Sequence, residues 1–204
     1  MIRWSCAVAA AALLTMPAAA ERPLPAGLAR LAPADFTMRT TVHDDPLDSA
    51  IVFSTAWAHR RGQAMDGAFA DDVHLRAKVD RVTGQVTWQV WHDLINFRHK
   101  ARIAAVDYAA GGNVRTAQAV QVEQWQDACQ MADVNAPCFV HQRVVFDLPE
   151  SVVREIAASW QSGSRSAWPL RFAVDGGDAI RGGLAPAEAA GLLSAVANWR
   201  KGGV

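Results

Sequence analysis

The chain has 204 residues, 51% of them hydrophobic, with 20 basic and 20 acidic side chains. The even charge balance gives no electrostatic footprint for nucleic acid or an anionic lipid surface. The length fits one domain with a sizeable core, and no later segment is long and apolar enough to span a membrane after the first twenty residues.

Those first residues are read as a signal peptide over 1–20. Arg3 is their only charge, Trp4 to Met16 is an Ala/Leu-rich run, Pro17 breaks it, and Ala18-Ala19-Ala20 supplies small residues for cleavage before Glu21. The uncharged stretch from Trp4 to Ala20 is 17 residues and contains Pro17, short of the roughly 20 a spanning helix needs. Cys6 lies too early for lipidation. Export leaves 19 basic against 20 acidic residues. The expectation is a periplasmic or secreted protein with no membrane insertion after cleavage.

Residues 21–34 hold Pro23, Pro25 and Pro33 and read as an extended N-terminal arm. Residues 35–204 read as a single globular domain, since no linker or repeat divides them. Phe36, Met38, Thr40 and Val42 alternate with polar neighbours and predict a strand, and Ile51, Phe53, Thr55 and Trp57 predict one face of a second.

The clearest local structure is a hairpin. Val73, Leu75, Ala77 and Val79 alternate on the way out, Gly84 turns the chain, and Val86, Trp88 and Val90 alternate on the way back. Setting Asp80 opposite Gln85 brings Val79 to Val86, Ala77 to Trp88 and Leu75 to Val90, so that the apolar faces coincide. The other face then carries Lys78 beside Thr87, Arg76 beside Gln89 and His74 beside Trp91. The apolar parity changes after His92, which predicts a bulge near His92–Leu94.

A second hairpin is predicted from about Ala101 to Trp125, turning at Gly111-Gly112-Asn113, with Ile103 meeting Val120 and Val106 meeting Ala117. Cys138 to Leu148 predicts another strand. From Pro149 the period becomes helical through Val152, Val153, Ile156 and Trp160. Trp168, Leu170, Phe172 and Val174 return to alternation, Asp175-Gly176-Gly177-Asp178 turns, and Ala179–Arg181 predicts a short partner strand. Pro186 opens a closing helix with the stripe Leu192, Leu193, Val196 and Trp199. The fold class is therefore α+β and β-rich: a mainly antiparallel curved sheet or partial sandwich of about eight strands, with two C-terminal helices packed on it.

Cys129 and Cys138 survive cleavage and predict a disulfide in an oxidising compartment. A metal pair with His141 is disfavoured, because structural zinc ligands sit about two to four residues apart. Asp66-Gly67 with Asp71-Asp72, and the Asp175–Asp178 turn, lack the alternating ligands of a calcium loop and read as turn chemistry. No metal and no cofactor are expected. His74 and His92 project to opposite faces in the hairpin register and do not form a ligand pair.

No hydrolase, zinc-protease or phosphate-loop motif occurs, so no residue is assigned a catalytic role. Tryptophan is the compositional feature, with eight against one tyrosine. Trp57 and Trp88 are expected in the core, while Trp160 and Trp199 are expected to dock helices. Trp91 falls on the polar face beside His74, Arg76 and Gln89, and an indole among long polar side chains suits a sugar or peptide surface. The leading functional expectation is a non-catalytic module that binds an envelope ligand or protein through Trp91, His74, Arg76 and Gln89. The alternatives are a secreted hydrolase with a site assembled from scattered residues, and a structural envelope component.

Overall fold

The computed structural model describes residues 23–59, 73–96, 102–126 and 140–202. The signal peptide expected over residues 1–20, the acidic residues Asp66, Asp71 and Asp72, and Cys129 and Cys138 lie outside the described residues.

The architecture is α+β and β-rich, with every strand pairing antiparallel. One sheet has six strands: β1 (Thr41–His43), β2 (Ala50–Ser54), β3 (Val73–Asp80), β4 (Val86–Asn96), β7 (Val120–Gln126) and β8 (Val140–Leu148), in the order β1-β2-β3-β4-β8-β7. The other has β5 (Ile103–Ala110), β6 (Asn113–Gln118), β9 (Trp168–Val174) and β10 (Ile180–Leu184), in the order β10-β9-β5-β6. Helices α1 (Ala26–Ala29) and α2 (Pro33–Arg39) precede the sheets. Helix α3 (Glu150–Ala158) follows β8, and α4 (Pro186–Arg200) closes the chain.

The two sheets share one core. Phe53, Leu75, Val90, Phe146, Phe172 and Ile156 belong to a single buried cluster that also holds Leu192 and Val196 of α4. Phe172 links the layers: its ring meets Phe146 at 6.3 Å and the His92 ring edge-on at 4.7 Å. The C-terminal helices pack into this core, and Trp199 sets its ring 5.8 Å from Phe53.

The first hairpin has the register read from its alternation: Val79 pairs with Val86, Ala77 with Trp88, Leu75 with Val90, Arg76 with Gln89 and His74 with Trp91. Asp80 N donates to Gln85 O at 2.9 Å, and Gly84 takes a φ of +69°, a left-handed conformation glycine adopts without a Cβ penalty. The bulge expected at His92–Leu94 is absent. β4 keeps one register against β8, from Trp88 opposite Leu148 to Asn96 opposite Val140. The break in apolar parity has another cause: His92 is a polar residue that faces inward, fully buried against Phe172.

The second hairpin is confirmed at Val106 opposite Ala117 and corrected beyond it. Ala119 lies between β6 and β7, and there the chain leaves the four-stranded sheet for the six-stranded one. Val120 therefore pairs with Val145 rather than Ile103. Splitting one expected strand into two is part of why there are ten described strands instead of about eight.

The N-terminal region differs most from expectation. The extended arm contains α1, whose Leu28 is buried, and the strand expected at Phe36–Val42 is mostly α2. Pro33 sits in the first turn, Ala32 N donates to Asp35 Oδ2 at 2.8 Å, and Phe36 alone of the expected apolar face is buried while Met38 is exposed. Leu24, Leu28, Phe36, Ala58, Ala185 and Ala187 form a second, smaller cluster. Trp57, expected in the core, is 83% exposed. β2 ends at Ser54, and Ala58 N donates to Thr55 O at 2.9 Å, closing a turn that sends Ala58 inward and Trp57 out. Trp160 lies beyond the end of α3 and is partly exposed.

Candidate functional site

Side chains along a strand alternate between faces, so the register of β3, β4 and β8 determines which residues meet on the side away from the core. Leu75, Ala77, Trp88, Val90, Val144 and Phe146 point in. Arg76, His74, Gln89, Trp91, Asp93 and Arg143 share the opposite face. α3 and α4 contribute to the core cluster on the inner side, so among the described helices these do not cover the outer face.

The four sequence-predicted residues are brought together there. Arg76 Cζ lies 3.7 Å from the centroid of the Trp91 ring, a cation–π stack. The His74 ring lies 5.8 Å from Trp91 at an interplanar angle of 27°. Trp91 Nε1 donates to Gln89 Oε1 at 3.4 Å, and Gln89 Nε2 donates to Asp147 Oδ1 at 2.9 Å. Trp91 is half-buried, and His74 and Val145 on this face are buried. The indole is thus held from several sides, which fixes its plane and leaves its accessible part as a partial surface rather than a projecting blade.

Sequence reasoning missed the charged group beside the stack. Arg143 Nε donates to Asp93 Oδ1 at 2.6 Å, Nη2 to Asp93 Oδ2 at 3.2 Å, and Nη1 to Glu123 Oε2 at 2.6 Å. These bonds, Asp93 foremost, raise the Arg143 pKa above its ordinary value. The Arg76 pKa is lowered, first by burial and then by the Arg143 charge, with Glu123 and Asp93 opposing. Asp93 and Arg143 meet only because β4 pairs with β8, a contact 50 residues apart in sequence. The signal for it was the parity of the Cys138–Leu148 strand, which puts Arg143 opposite the apolar face.

A second missed group is buried. Glu188, in the first turn of α4, accepts from Thr55 Oγ1 at 2.5 Å and from Leu75 N at 3.3 Å. Thr55 and Glu188 are enclosed in the core, so this carboxylate holds α4 to the sheet and does not face solvent.

His92 and His74 lie on opposite faces, as their register required. Among the described residues no group of three His, Cys, Asp or Glu is placed to hold a metal ion. Asp175–Asp178 is a turn: Gly177 N donates to Val174 O, and Gly176 has a positive φ. No described helix is long and apolar enough to cross a membrane.

A cleft lies elsewhere, lined by Leu24, Leu28, Leu31, Trp160, Ser164 and Ala187. Its enclosed volume is only about 10 Å³, far below the roughly 300–1,000 Å³ of small-molecule pockets. The stacked face therefore remains the better-organised candidate. No protein-family model, curated protein or solved structure matches the chain.

Proposed function

We propose that this chain is an exported protein, periplasmic or secreted, that binds an envelope ligand or partner protein without catalysing a reaction. The observation that carries the binding half is the stack itself. His74, Arg76, Gln89 and Trp91 come from two adjacent strands and touch in series on the sheet face away from the core. An amphipathic aromatic with an oriented cation beside it offers apolar area and directed donors at little cost in conformational entropy.

The export half is supported by Arg3, the apolar run to Met16 and the small residues Ala18 to Ala20. That compartment would oxidise Cys129 and Cys138 to a disulfide, which by loop entropy would stabilise the fold by about 2–3 kcal/mol. Thiol counting on the denatured, unreduced exported protein tests this: two free thiols per molecule refute it.

Binding is tested by titrating the mature protein with glycan fragments and envelope peptides while following assigned indole N–H resonances. Trp91→Ala should abolish the response and leave the melting transition in place. A response that survives Trp91→Ala, or no response to any probe, ends the reading.

A further inference from the structure

We infer that Arg76 is the ligand-contacting cation of the outer face, and that the face takes a carboxylate-bearing saccharide of the uronate type. This rests on the binding reading given above and names its ligand class.

Arg76 carries five N–H donors and makes no hydrogen bond to any described residue, and its Nε is enclosed without a partner. A half-buried guanidinium is ordinarily paired, because desolvating a charge is costly unless an acceptor replaces water. Here burial and the neighbouring Arg143 both press against the charge. The nearby carboxylates do not relieve it by hydrogen bonding, since Asp93 and Glu123 are both held by Arg143. Meanwhile Trp91, 3.7 Å away, fixes the guanidinium plane from one side. With Nε enclosed, stacking of this kind leaves the in-plane Nη1/Nη2 edge to match a carboxylate bidentately.

The surroundings narrow the anion. Asp93, Glu123 and Asp147 share the face, so a dianion such as a phosphate monoester meets more repulsion than a monoanion does. Arg76 and Trp91 are half-buried and their neighbours His74 and Val145 are buried, so a ligand meets only the exposed part of the stack. Gln89 and Lys78, next to the stack by register, supply polar groups for sugar hydroxyls.

The experiment uses the mature chain and oligosaccharides of galacturonate, glucuronate and mannuronate, each beside its methyl ester, followed by calorimetry and by indole N–H resonances. The acid should bind, the ester should bind at least about tenfold more weakly, and Arg76→Gln should weaken the acid by a similar factor. Arg76→Lys, which keeps the charge without the fork, should lie between. If Arg76→Gln unfolds, Arg76→Lys carries the test. Equal binding of acid and ester, both lost in Trp91→Ala, overturns the uronate inference and leaves the binding face standing. Binding by a peptide at Trp91 with no uronate binding does the same. Acid binding unchanged in Arg76→Gln and Arg76→Lys overturns the role of Arg76. Absence of any response at Trp91 overturns both the inference and the reading beneath it.

Discussion

Thr55 Oγ1 lies 2.5 Å from Glu188 Oε1 in the core, joining the end of β2 to the first turn of α4 across 133 residues of sequence. The same hydroxyl accepts from Leu75 N at 2.8 Å, so a single side chain ties β2, β3 and α4. A carboxylate near a helix N-terminus is also favoured by the helix dipole. Thr55→Val removes a donor from a buried carboxylate and an acceptor from a buried amide, and should cost about 2–4 kcal/mol. Thr55→Ser keeps both bonds and should cost less than about 1.5 kcal/mol. Urea unfolding midpoints decide; similar losses for the two variants would show that packing of the methyl group, rather than the hydrogen bonds, matters there.

Gly191 marks where α2 crosses α4. A Cβ built on it would stand 2.4 Å from Phe36 Cβ and 2.7 Å from Pro33 O, and its carbonyl already accepts from Thr37 Oγ1 at 3.1 Å. Two of those obstacles are backbone or Cβ atoms, so relief requires the helices to separate. Gly191→Ala should therefore destabilise by about 2–3 kcal/mol despite the better helix propensity of alanine. Gly84→Ala, strained by its positive φ but in open space, should cost about 1–2 kcal/mol. Thermal melts of the two variants check the order. Stabilisation by Gly191→Ala would mean the helices do not cross so closely.

The parts of this fold legible in sequence are local. The β3–β4 register could be read residue by residue because one turn joins the strands and only one alignment buries both apolar faces. The parts that were not legible depend on distant pairing. Nothing near Ala119 announces that β7 leaves β6 for another sheet. The Arg143–Asp93 pair exists only through β4–β8 pairing, and Glu188 finds Thr55 only when α4 docks. Phe36 to Val42 misled because a period of two over so few residues also fits a helix that buries Phe36 alone. His92 misled in a second way: an inward polar residue breaks apolar parity as a bulge would. In the candidate site, the cluster His74, Arg76, Gln89 and Trp91 was readable as a set, whereas the stacking of Arg76 on the indole was not.

The face assignment of β3 has a direct check. Leu75 is buried on the inner face, and Lys78 is exposed on the outer one. Leu75→Asp places a charge among Val90, Phe53 and their neighbours and should cost about 3 kcal/mol or more, or prevent folding. Lys78→Asp should stay within roughly 1 kcal/mol of the parent. Equal shifts in the denaturation midpoint would reverse the faces.

Stability should fall on acidification, and two carboxylates give the sign. Asp107 accepts from Thr116 Oγ1 at 2.7 Å and from Arg171 Nη2 at 2.7 Å, and these bonds lower its pKa. Glu150 accepts from Arg154 and from Trp88 Nε1, which lowers its pKa as well. In the unfolded chain both groups protonate near the ordinary value of about 4, whereas in the folded chain they hold off protons to lower pH. The unfolded state thus binds more protons between those limits. The stabilisation is fully present above the ordinary carboxylate range and is lost as pH falls through the folded values. Both carboxylates are partly exposed, so salt should shrink the effect. Urea unfolding from about pH 7 to about pH 3 should therefore show a falling limb that is shallower in an Asp107→Asn/Glu150→Gln double variant and shallower again in high salt. A double variant whose acid limb matches the parent's at low salt would show that neither carboxylate contributes to it.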